Sequence, residues 1–148
     1  MSRLEQGLRK GARGVGVEIA YTPAATRKEI LWSFGPAARA KVPVYVHVRG
    51  GGPKDEDGPA ALQEVLANAY SSGAPLHVVH VTSVGAASTN TLLDMIEKAQ
   101  AAGRDVTTEA YPYSASSTQL TSALFDEGFR ERLGVDTVTF LFPPRASG

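Results

Sequence analysis

The sequence predicts an α/β fold of parallel βα repeats, four of which make either half of a closed eight-stranded barrel or a small open sheet. Three observations predict it. Strand-like runs at residues 15–20, 44–48, 76–81 and 106–110 each carry a metal-capable or proton-transferring side chain near the end: Glu18, His47, His80 and Glu109. These four residues lie 29, 33 and 29 positions apart, about the length of one strand plus one helix. Short helix-end-plus-turn segments at residues 38–43, 70–75 and 100–105 precede the second, third and fourth strands and repeat the same register. Parallel strands so connected bring all four side chains to one rim, where α/β enzymes keep their chemistry.

The helices follow from periodicity and capping. Thr26 followed by Glu29 is a capping-box signature for a helix to about residue 40, with Ile30, Leu31, Phe34 and Ala38 as its apolar stripe. A second helix is expected from Pro59, suited to a first turn, to Ser72, with Leu62, Val65, Leu66 and Ala69 at helical spacing before Gly73. The third runs from about Thr89 to Ala102, burying Leu92, Leu93, Ile96 and Ala99 and stopping at Gly103. Residues 137–142 read as a further strand, and residues 143–148 as an extended tail.

Composition narrows the function classes. The 148 residues, 43% hydrophobic, fit a single domain over residues 1–148 with a real core. Fifteen acidic and fifteen basic residues balance, which argues against nucleic acid or an anionic membrane surface as partner and favours a small-molecule substrate. No apolar run approaches the ~20 residues needed to cross a bilayer, and residues 1–10 lack a signal-peptide core, so the cytoplasm is the default location. Without cysteine, any zinc-like ion must be held by histidine and carboxylate.

His47 and His80 are the leading site candidates because each sits between β-branched residues at a strand end, in Val-Tyr-Val-His-Val and His-Val-Val-His-Val. Neutral imidazole there is a ready metal ligand; the plainer reading is a pair of buried, hydrogen-bonded histidines. His77, three positions before His80, should face the opposite side by strand alternation and reads as structural. Glu18 is metal-capable by type, and its plainer reading is a buried carboxylate paired with Arg13 or Lys10. Arg49 suits bidentate capture of a carboxylate, or else is a solvated loop residue beside Gly50, Gly51 and Gly52.

Four segments together resemble the metal-dependent amidohydrolase superfamily, and most closely its N-acyl-D-amino-acid deacylase branch. They are residues 11–17 leading to Ala20-Tyr21-Thr22-Pro23, then Val46-His47-Val48-Arg49, Val79-His80-Val81-Thr82-Ser83, and Thr108-Glu109-Ala110-Tyr111-Pro112-Tyr113. The resemblance covers roughly residues 8–133. It implies part of a TIM-type (β/α)8 barrel, here a half barrel, in which His47 and His80 bind the catalytic metal, with Tyr21 and Arg49 as substrate contacts. It implies a shaping role for Glu109 at the barrel mouth. The chain departs from the family in having no counterpart of the His-x-His pair after the first barrel strand or of the Asp after the last, which is the usual general base. Thr82 stands where the deacylases tend to have lysine, and Glu18 where the close ones often show glycine.

The expected chemistry is metal-assisted hydrolysis of an amide (N-acyl amino acid) or ester bond. His47 and His80, with Glu18 or water, would hold a divalent ion such as Zn²⁺, and Glu18 would relay the proton. Two other readings are weighed against it. One is a metal-free serine esterase using Ser83 and the Gly50-Gly51-Gly52 loop, although residues 81–85 lack the first glycine of the nucleophile elbow. The other is an inactive barrel segment that self-associates, since an isolated half barrel has two unpaired sheet edges; a homo-oligomer is expected on that ground.

Overall fold

The computed structural model describes residues 2–50, 58–113, 117–119 and 121–133. Strands β1 (Val15–Glu18), β2 (Val44–His47), β3 (Leu76–Val78) and β4 (Val106–Thr108) pair in parallel in the order β1-β2-β3-β4. Helices α1 (Arg3–Arg9), α2 (Arg27–Ala40), α3 (Gly58–Ser72), α4 (Val81–Gly85), α5 (Thr89–Ala101) and α6 (Phe129–Leu133) surround and follow them. The expected strand at residues 137–142, the tail at 143–148, Gly51 and Gly52 lie outside the described residues. No helix among the described residues is long and apolar enough to cross a membrane.

Strand order and burial together settle the choice between open sheet and barrel wall. Sequence neighbours are spatial neighbours throughout, so every crossover travels in the same direction and, with one handedness, lays its helix on the same face. A doubly wound sheet reverses direction part-way and covers both faces. Here Val15, Val17, Val44, Val46, Leu76, Val78 and Val106 are buried on the helix-covered face. The alternate positions, Gly16, Tyr45, His77 and Thr107, align across the sheet, and three of them are exposed with His77 intermediate. One clad face and one bare face on a singly wound parallel sheet is the architecture of a partial (β/α)8 barrel, and the bare face is its inner wall.

The core is the layer between valine-rich strands and helices, with Phe34, Ile19, Leu62, Leu76 and Leu92 its largest fully buried side chains. Each such burial contributes about 1.5–3 kcal/mol. The predicted capping box forms at α2. Glu29 N–H donates to Thr26 Oγ1 at 3.3 Å, and the Thr26 N–H donates to Glu29 Oε2 at 2.8 Å. The helix buries Ile30, Phe34 and Ala37, an i, i+4, i+7 stripe, whereas Leu31 is 40% exposed. Leu31 lies about 100° around the helix from Ile30, which turns it off the sheet. α3 and α5 match their predicted spans to within a residue or so, and each is followed by a glycine, Gly73 and Gly103, at φ 75°, the left-handed conformation that ends a helix.

All four strands are shorter than their apolar runs. β1 passes at Glu18 into a 3-10 turn at Ile19–Tyr21. β3 ends at Val78, and His80 takes φ 53°, ψ 46° as the residue before α4, a short helix that periodicity did not reveal. Beyond β4 the chain returns toward the start of the sheet, where the 3-10 turn Ala123–Phe125 contacts the one at Ile19–Tyr21.

Candidate metal centre

The carboxyl ends of the four strands place Glu18, His47, His80 and Glu109 along one rim. Glu18 and His47 are register partners on adjacent strands, so their side chains emerge side by side on the inner face. Glu18 Oε2 lies 3.6 Å from His47 Nδ1, and this contact replaces the pairing with Arg13 or Lys10 weighed from sequence. The His47 and His80 rings meet edge-to-face with centroids 5.7 Å apart. An ion held ~2.1 Å from one nitrogen of each ring in tetrahedral geometry sets the centroids about 5 Å apart, so the pair is spaced to share one ion.

Electrostatics agree with that chemistry at His47. Burial pushes the His47 pKa below the usual histidine value, opposed by the nearby Glu18 carboxylate and reinforced by His80. The imidazole is thereby kept neutral and able to donate a lone pair. Donor type and spacing at the two histidines, and the neutral form favoured at His47, fit a divalent ion. Among the described residues no group of three or more His, Cys, Asp or Glu side chains is placed to hold a metal ion.

Aromatic rings flank the histidines. Tyr21, on the 3-10 turn after β1, stands edge-on to His47 at 5.2 Å, and Tyr111 stands edge-on to His80 at 5.6 Å. Tyr111 also stacks on Tyr113 at 6.3 Å. Arg49, two residues beyond His47, turns away from the imidazoles. Its Nε donates to Glu64 Oε2 at 2.9 Å and its Nη2 to the Ala25 carbonyl at 2.7 Å, so the half-buried guanidinium clasps α3 and the loop before α2. Ser83 lies within α4, and among the described residues its hydroxyl makes no hydrogen bond to a histidine.

His77 holds a place that sequence reasoning missed, beside the Glu109 carboxylate expected at this rim. Alternation from His80 would put His77 on the opposite side, but β3 stops at Val78 and the left-handed backbone at His80 swings that side chain back. Both histidines consequently meet one carboxylate, with Glu109 Oε1 at 3.1 Å from His80 Nδ1 and Oε2 at 3.7 Å from His77 Nε2. The signal available in the sequence was Glu109 itself, an acidic residue just past the fourth strand, in register with the others.

Comparison with known proteins bears on the fold. No family model and no curated protein sequence matches the chain. Solved structures do. N-acyl-D-glutamate deacylase from Bordetella bronchiseptica, complexed with zinc and a phosphonate inhibitor, is 25% identical over 74% of this chain and 24% of its own, with a TM-score of 0.63. A D-aminoacylase described as defining a novel subset of amidohydrolases is 28% identical over 79% of this chain and 25% of its own, with a TM-score of 0.65. In structure the chain is similar to these amidohydrolases. L-hydantoinase from Arthrobacter aurescens, 20% identical over 74% of this chain and 29% of its own with a TM-score of 0.60, is similar in fold. The chain spans about a quarter of the length of the structures it matches.

Proposed function

We propose that this chain carries the two-histidine part of a metal-dependent hydrolase centre acting on the amide bond of a small N-acyl amino acid or on a related ester. The observation that carries the reading is the meeting of His47 and His80 from adjacent β-strand ends at a spacing that suits one ion. The zinc held by the deacylase of similar structure supports the same ion class. When bound, such an ion lowers the pKa of water to roughly 7 and polarises a carbonyl.

The chain's own residues have distinct tasks in this reading. His47 and His80 present ring nitrogens, with Glu18 or water completing the donor set. Glu18, exposed and next to His47, is the carboxylate that moves a proton to the leaving group. Tyr21 lines the entrance beside His47 and contacts substrate. Arg49 contributes to substrate binding through the loop it anchors, or directly if its fork leaves Glu64.

The test is zinc titration calorimetry and a chelator-sensitive hydrolysis screen on N-acetyl amino acids, for the wild-type chain and the His47→Ala/His80→Ala variant. Zinc binding and hydrolysis should both disappear in the variant; full retention of either removes the mechanism. The bare inner face and the two outer strands favour self-association as well, so the chain is proposed to be a homo-oligomer. Light scattering at micromolar concentration should show more than one copy, and an ordered monomer would contradict it.

A further inference from the structure

The inner face holds a line of polar side chains that the hydrolase reading leaves without a task. Thr107 Oγ1 and His77 Nδ1 are 2.8 Å apart, His77 Nε2 is 3.7 Å from Glu109 Oε2, and Glu109 Oε1 is 3.1 Å from His80 Nδ1. Thr107 and His77 are register partners on β4 and β3, so the line starts on rigid backbone. It ends at a metal-donor candidate.

An ionised carboxylate has lone pairs and no hydrogen, so each imidazole facing it is best satisfied by turning an N–H toward it. At His80 this puts the hydrogen on Nδ1 and leaves the lone pair on Nε2. At His77 the contact is longer than a hydrogen bond, at 3.7 Å, but the same electrostatic preference turns an Nε2 hydrogen toward the carboxylate and leaves Nδ1 to accept from the Thr107 hydroxyl 2.8 Å away. Free neutral histidine prefers the opposite tautomer, with its proton on Nε2. His80 therefore needs Glu109 to present Nε2, and Glu109, just beyond the end of β4, needs a second contact to hold its carboxylate in place.

We propose that Glu109 and His77 are positioning residues: His77, braced by Thr107, orients the Glu109 carboxylate, which fixes His80 in the Nδ1–H tautomer with Nε2 as the donor. The purpose of this device rests on the metal reading, since a fixed Nε2 lone pair is what an ion requires. The tautomer itself is a property of the metal-free chain and is measured without it.

The experiment is long-range ¹H–¹⁵N correlation NMR of the full metal-free chain at about pH 8, above the ordinary imidazole pKa. His80 should show the Nδ1–H pattern, and Glu109→Ala should convert it toward Nε2–H. Glu109→Gln, which keeps an acceptor oxygen, should restore much of the wild-type pattern, and His77→Ala should give an intermediate. Because Glu109 is half exposed, backbone amide spectra should show each variant folded. An Nε2–H His80 in the wild type, or a tautomer unchanged in Glu109→Ala, overturns the proposal. Zinc chloride titrated into the same samples judges the two readings separately. A 10–100-fold weaker affinity in Glu109→Ala is expected. Failure of the wild type to bind zinc refutes the metal reading and leaves the tautomer result to decide the positioning one.

Discussion

Removing the Glu64 charge should loosen the rim that carries His47, and the size of the effect can be worked from the contacts. Arg49 Nε and Nη2 reach Glu64 Oε2 and Oε1 at 2.9 and 3.4 Å, and Nη2 also reaches the Ala25 carbonyl at 2.7 Å. Arg27 adds a longer contact to Glu64 at 3.9 Å. The Glu64 side chain is 10% exposed and that of Arg49 27%, so the pair sits between two regimes. Exposed pairs contribute about 0–1 kcal/mol, and breaking a fully buried one costs about 3–5 kcal/mol. A coupling energy of about 2 kcal/mol is therefore expected from a double-mutant cycle of Arg49→Gln and Glu64→Gln, read as urea midpoints at constant m-value. Glu64→Gln alone should lower Tm by about 4–8 °C for a chain of this size. Because the clasp also holds the loop between Tyr21 and α2, zinc affinity should fall in the same variant. A coupling below about 0.5 kcal/mol would show that the guanidinium is not anchored there and would return Arg49 to the pool of free substrate contacts.

Two further outcomes are expected. The His47 pKa is depressed in the folded chain, so the unfolded chain binds the extra proton. Stability should be fully present above the ordinary value of 6.5 and fall as the pH drops from there through the folded pKa, a slope that His47→Gln should reduce in urea midpoints taken across that range. Thr26→Ala removes the hydroxyl that accepts from the Glu29 N–H and donates to its carboxylate, and should destabilise the fold by about 1 kcal/mol in thermal melts followed by circular dichroism.

The fold was readable from sequence wherever a local rule decided the outcome. Thr26 and Glu29 can cap only one another, and Leu62, Val65 and Ala69 repeat at a helical period, so α2 and α3 appear where the residues indicate. Glu18 and His47 converge because both lie within strands, where alternation is strict. The readings failed where an element ended early. An apolar run such as residues 76–81 does not announce that pairing stops at Val78, and once the chain bends, alternation no longer relates His77 to His80. The Glu109 carboxylate between two imidazoles depends on that bend. The partner of Arg49 was equally hidden, because Glu64 lies 15 residues further on, within α3, and no short-range rule links the two.

The backbone of His80 has a consequence for evolving or engineering this chain. A left-handed conformation at a residue with a β-carbon costs about 1 kcal/mol or more, and glycine adopts it freely. Replacing the histidine with glycine would relax the main chain at the same stroke that deletes the donor nitrogen. Selection for thermal hardness alone would therefore drift toward losing the imidazole, and a screen that rewards only heat tolerance would discard the side chain on which the proposed function depends.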